Sequence, residues 1–112
     1  MSIKDNAVSH YKDKLAGKLL SIDVPEWNGT IYYRDAINGK KQSAIMSLYA
    51  KEKMIEAMTM SLIVRALDKD GNPIWHPREL TTVMHEYDNT VVSNIVAEMT
   101  KDEPSIEDAK KL

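Results

Sequence analysis

The sequence predicts an α+β fold: an N-terminal amphipathic helix, a β-hairpin at about 20–35, and a small bundle of three or four helices at about 41–67, 77–86 and 89–101. Three observations carry this. Apolar and polar residues alternate on both sides of a Pro-Glu-Trp-Asn-Gly connection at 25–29. From Lys41 the apolar spacing changes to that of a helix. Beyond it, Asp-Gly, His-Pro and Asp-Asn pairs cut the chain into helix-length pieces.

A chain of 112 residues is one domain, able to bury a modest core without staples. We expect a single domain over 1–112, with residues 1–19 a helix free to move and 102–112 a short charged tail. There is no cysteine, which removes disulfides, thiolate metal sites and a Cys nucleophile. The first residues are too charged for a signal peptide and no apolar run approaches a membrane span. The chain therefore reads as cytosolic. Its net charge of -2 is uneven. Residues 1–65 carry ten Lys/Arg against seven Asp/Glu, and residues 66–112 carry five against ten. An acidic C-terminal half argues against a nucleic-acid surface there.

Val8, Tyr11, Leu15 and Leu19 follow helical spacing behind an N-cap at Asp5 or Asn6, and Gly17 loosens the end. One thin apolar stripe cannot hold a helix in water, so this one has to dock on the domain or on another protein. Leu20, Ile22 and Val24 alternate with Ser21 and Asp23, the pattern of a half-buried strand. Pro25 ends that strand because it has no N–H to donate. Asn28-Gly29 supplies the positive φ angles of a tight connection, and Thr30 to Arg34 is β-branched and aromatic. An isolated hairpin is marginal, so a third strand or a helix must cover its apolar face.

Over 41–67, Ile45, Leu48, Ile55, Met58 and Leu62 form one face, with Met46, Met54 and Met60 around it. The polar run Ala50 to Lys53 interrupts that face and marks a kink or short turn; a strand over Leu62–Leu67 is the minor alternative. Pro77 stands at the first position of the next helix, whose buried face is Leu80, Val83 and Met84. Val91, Val92, Ile95, Val96 and Met99 carry the next one, and Ser105 with Asp108 makes a weak capping box for a last turn.

Most forms of chemistry fail on inspection. An EF-hand loop with Gly71 at its sixth position would begin at Ala66 and end at Pro77, so it lacks ligands at both ends. His10, His76 and His85 stand apart, with no metalloprotease spacing. No serine sits in a glycine-rich elbow, and the four glycines are scattered singly, so there is no phosphate loop. We expect no enzyme, no cofactor and no metal. A helix-turn-helix around Tyr87-Asp88-Asn89 would present a second helix without a single Lys or Arg, which phosphates would repel. The candidate functional residues are therefore protein-binding ones: Val8, Tyr11 and Leu15 on the first helix, Trp27 in the hairpin connection, and the thioethers Met46, Met54 and Met58. Two readings stand for each group. The methionines fill core gaps or form a surface that repacks on a partner; Trp27 folds back on the strands or is an exposed anchor.

The stretch from Ile22 to Gln42, IDVPEWNGTIYYRDAINGKKQ, resembles the tail assembly chaperones of long-tailed bacteriophages. Val24-Pro25-Glu26-Trp27 and Tyr32-Tyr33-Arg34 match that family's strand, turn and strand, with Asn28 as one extra residue before Gly29. ALDKDGNPIW is similar to the family's D-x-D-G-x-P stretch ending in an aromatic, here Trp75, and SIEDAKKL is similar to its charged terminus. The chain departs from the pattern at Lys40-Lys41-Gln42. The resemblance covers nearly the whole chain. It implies a non-enzymatic morphogenesis factor of the host bacterial cytoplasm, absent from the mature virion. Its partners would be the tail tape measure protein, which it binds, and the major tail tube protein, whose subunits it recruits. Self-association through the first helix is expected, and nucleic acid and membrane are not. The competing reading is a small cytosolic protein-binding adaptor unrelated to phage tails.

Overall fold

The computed structural model describes residues 2–101. In chain order they form α1 (Ile3–Ala16), β1 (Leu20–Val24), β2 (Gly29–Tyr33), α2 (Gly39–Ala50), α3 (Met54–Arg65), α4 (Leu80–Glu86) and α5 (Asn89–Met99). Short 3-10 turns at Pro25–Trp27 and Pro77–Glu79 join β1 to β2 and introduce α4. This is the α+β arrangement expected. The capping box expected at Ser105 and Asp108 lies outside the described residues.

The hairpin forms where alternation predicts it. β1 and β2 pair antiparallel with Leu20 opposite Tyr33, Ile22 opposite Ile31 and Val24 opposite Gly29. Because side chains alternate faces, one face carries Ile22, Val24, Ile31 and Tyr33, and the last three are buried. On the other face Thr30 Oγ1 donates to Asp23 Oδ1 at 3.0 Å. The connection differs from a two-residue Asn-Gly turn. Pro25 starts a 3-10 turn, Asn28 alone takes the left-handed conformation (φ 51°), and Gly29 already belongs to β2.

The polar run Ala50–Lys53 is a full break between two helices. The Lys53 amide donates to the Leu48 carbonyl and the Glu52 amide to the Tyr49 carbonyl, while Glu52 lies at φ 61°. That is a Schellman ending with glutamate in the place glycine usually takes. The chain reverses there and α2 packs back on α3. A face drawn straight through 41–67 therefore does not survive. Ile45 and Leu62 are buried, but Ile55 is 46% and Met54 58% exposed at the start of α3.

α3 is the hub, in contact with α2, α4 and α5. Ala57, Leu62, Ile63 and Ala66 are essentially inaccessible, and α5 contributes Val91, Val92, Ile95, Val96 and Met99 as expected. The strand alternative for 62–67 is half realised. The helix runs to Arg65, and Leu67 then pairs with Tyr32 through both backbone bonds, at 3.0 and 2.7 Å. Leu67 also bridges to Pro73, closing the Asp68–Asn72 turn. There Asp68 Oδ1 accepts from the amides of Asp70 and Asn72, and Gly71 supplies φ 85°. The turn accounts for the DKDGN residues without a cation.

α1 begins earlier than expected. Its cap is Ser2, which accepts from the Asp5 amide at 3.2 Å, so Asp5 is a first-turn acid rather than the cap. It ends at Ala16, and Leu19 lies beyond it instead of extending its stripe. No residue of α1 is buried. It is held at its C-terminal end, where Arg34 donates to the Leu15 carbonyl and Lys14 pairs with Asp35 at 3.4 Å.

A left-handed glutamate carries a steric cost that glycine lacks. Glu52→Gly is expected to stabilise the fold by about 0.5–1 kcal/mol, net of the extra freedom gained by the unfolded chain. Urea denaturation of the two proteins checks this; a destabilised variant would contradict it.

Candidate functional site

Three aromatic residues from three chain breaks meet at one place. Trp27 closes the 3-10 turn between the strands, Trp75 stands just before the cap of the Pro77 turn, and Tyr87 ends α4. Local chemistry fixes each position. Pro25 starts the first turn, and Asn28 in the left-handed region ends it. His76 caps the second, with its Nδ1 accepting from the Arg78 amide at 3.0 Å and its own amide donating to Glu79 at 2.6 Å. Asp88 caps α5 by accepting from the Thr90 amide at 2.9 Å, which fixes the chain at Tyr87.

The rings pack edge to face. Centroids are 5.5 Å apart for Trp27–Tyr87, 5.9 Å for Trp75–Tyr87 and 6.3 Å for Trp27–Trp75, at interplanar angles of 86°, 70° and 75°. This is the arrangement that aligns the positive edge of one ring with the negative face of the next. The Trp75 indole N–H donates to the Tyr87 hydroxyl at 3.0 Å. All three side chains rest on the core and stay half-exposed. Together with Glu86 and Asp88 they line an open cleft of about 400 Å3. An open cleft lined by aromatic and acidic residues suits binding.

Of the candidate residues, Trp27 alone lines this cleft. It packs against the core that the hairpin helps to build. It clasps the turn to Trp75 and Tyr87 and keeps an exposed face. Val8 is 54% exposed on α1, and Tyr11 and Leu15 are half-buried along the same helix. Met46 is half-buried on α2, Met54 is exposed, and Met58 packs against the core. The three methionines thus do not act as one set: Met58 fills the core while Met54 and Ile55 make a small exposed apolar corner. Sequence reasoning missed Trp75, Tyr87, Glu86 and Asp88 as site residues. The available signal was that each aromatic directly precedes a turn or cap residue, at Asn28, His76 and Asp88.

Among the described residues no three His, Asp or Glu side chains gather closely enough to hold a metal ion, and no helix is long and apolar enough to cross a membrane.

No protein-family model matches the chain, and no curated protein matches it in sequence. Among solved structures, the bacteriophage HK97 tail assembly chaperone superposes with a TM-score of 0.65 at 21% identity. The match covers 79% of this chain and 88% of that one. The chain has a tail-assembly-chaperone-like fold. At that identity the likeness speaks for the architecture, in which hairpin and helices are joined as described.

The clasp predicts a measurable coupling. Trp27→Ala and Tyr87→Ala, singly and together in a denaturation-based double-mutant cycle, should give a coupling of about 0.5–1.5 kcal/mol. Additive effects would mean that the rings are neighbours without mutual stabilisation.

Proposed function

We propose that the chain is a phage tail assembly chaperone, a non-enzymatic protein that binds the tape measure protein and recruits tail tube subunits during virion morphogenesis. The observation that carries this is the fold shared with the HK97 tail assembly chaperone over most of both chains. The order of motifs in the sequence adds support. The Val24-Pro25-Glu26-Trp27 turn, the Tyr32-Tyr33-Arg34 strand and the Asp68–Trp75 link fall where that family has its own. So does the distribution of apolar surface. A recruiter needs exposed anchors on a stable body. Here the aromatic cleft and the outer face of α1 are open while the core behind them is closed.

In this reading the protein works in the host bacterial cytoplasm and leaves before the virion is finished. Self-association is assigned to α1, whose Val8, Tyr11 and Leu15 stripe has no buried member.

Co-expression of the tagged chain with the tape measure and tube proteins of the same genome tests the proposal. Both should be retained on the tag, and purified virions should lack the chain. Light scattering of the same preparation should show a larger mass for the full chain than for one starting at residue 19. If neither tail protein is retained, the reading falls to that of an unrelated protein-binding adaptor.

A further inference from the structure

We infer that the Trp27–Trp75–Tyr87 cleft is an arginine-binding site, in which the guanidinium of a partner protein's arginine lies on the aromatic faces between the carboxylates of Glu86 and Asp88. The inference rests on the cleft's own geometry, and it holds or fails independently of the tail-assembly reading.

The composition of the lining points to the ligand. Three aromatic and two acidic residues line the cleft, and no Lys or Arg does. An anionic group would meet the carboxylates and the negative faces of the rings, so it is repelled twice. An apolar side chain would satisfy the rings but offer the two exposed acids no partner. A cation satisfies both: it is attracted to the ring faces, and it pairs with the acids. Their state in the unliganded protein leaves them ready for it. The Glu86 side chain makes no hydrogen bond or ion pair among the described residues. Asp88 uses Oδ1 for the Thr90 amide, so Oδ2 remains available. Residues 66–101 carry three Lys/Arg against six Asp/Glu, a balance that draws a cation towards this part of the molecule.

Arginine fits better than lysine. The rings stand near right angles to one another, so a planar group can stack on one while its edge faces a neighbour. A guanidinium is flat and weakly hydrated and carries a fork of N–H donors that can reach two carboxylates at once. An ammonium is a compact, strongly hydrated point charge and gives up more solvation on entering. A protein side chain is the natural source, because the cleft is open and shallow enough to admit a single extended side chain from a facing surface.

The chain offers a direct readout, since its two tryptophans are both in the cleft. N-acetyl-arginine N-methylamide is titrated into the full-length protein and the indole N–H resonances of Trp27 and Trp75 are followed by NMR. The neutral isostere N-acetyl-citrulline N-methylamide and the lysine analogue serve as comparators. Both indole resonances should shift saturably with the arginine probe at about millimolar concentration, more weakly with lysine, and hardly at all with citrulline. The variant Glu86→Gln/Asp88→Asn removes both charges and keeps the α5 cap, because asparagine caps as well as aspartate. With the rest of its spectrum unchanged, it should bind the arginine probe about fivefold more weakly or worse. Three results would overturn the inference: no saturable shift, an equal response to citrulline, or a charge-neutral variant that responds like the parent. A stronger response to lysine than to arginine would overturn the choice of guanidinium.

Discussion

A two-stranded hairpin cannot keep its apolar face dry by itself, and the rest of this fold follows from how that face is covered. Val24, Ile31 and Tyr33 project from the hairpin into a core built by Leu62, Ile63 and Ala66 of the α3 region and by Val91, Val92 and Ile95 of α5. α3 is fully enclosed along its inner face, at Ala57, Leu62 and, at its cap, Ala66. Burying several β-branched and leucine side chains together, at about 1.5–3 kcal/mol each, is what offsets the ordering of both elements. The backbone adds a second tie. Tyr32 and Leu67 exchange both of their hydrogen bonds, so the end of α3 continues as a one-residue extension of the sheet.

The same covering produces the cleft. The buried face fixes the hairpin against α5, and the turn that joins the strands must then project beside the α4–α5 junction. Pro25 and Asn28 determine how that turn closes, and Trp27 is the side chain it delivers. Trp75 and Tyr87 arrive from the other side, each held by a cap one residue later. A surface made this way is preorganised. Its rings are braced by one another and by the core, so a ligand does not have to order them. α1 stands in contrast. It is fastened through Arg34 and the Lys14–Asp35 pair at one end, and Val8 is left outside.

Features with short-range causes were legible in the sequence. The hairpin follows from alternation around Pro25, the buried face of α5 from its helical spacing, and the break at Ala50–Lys53 from polarity alone. The misreadings came where two local signals compete or where the cause is distant. Ser2 and Asp5 both suit a cap, and nothing in the periodicity chooses between them. Ile55 read as part of the apolar face because one helical phase was carried across a reversal, after which α3 turns a different face inward. The ring cluster depends on residues brought together only by the tertiary fold. No window of sequence containing Trp27 contains its partners, so the cleft was visible there as a lone tryptophan with two possible fates.

If hairpin and helices are one cooperative body, the joint between them should open only when everything does. Native-state hydrogen exchange at the Tyr32 and Leu67 amides measures this, with Ile63 in α3 and Val92 in α5 as internal references. The account predicts opening free energies at all four amides within about 1 kcal/mol of one another and of global stability. Tyr32 and Leu67 exchanging several kcal/mol more easily than Ile63 and Val92 would show a hairpin that detaches on its own, and would contradict it.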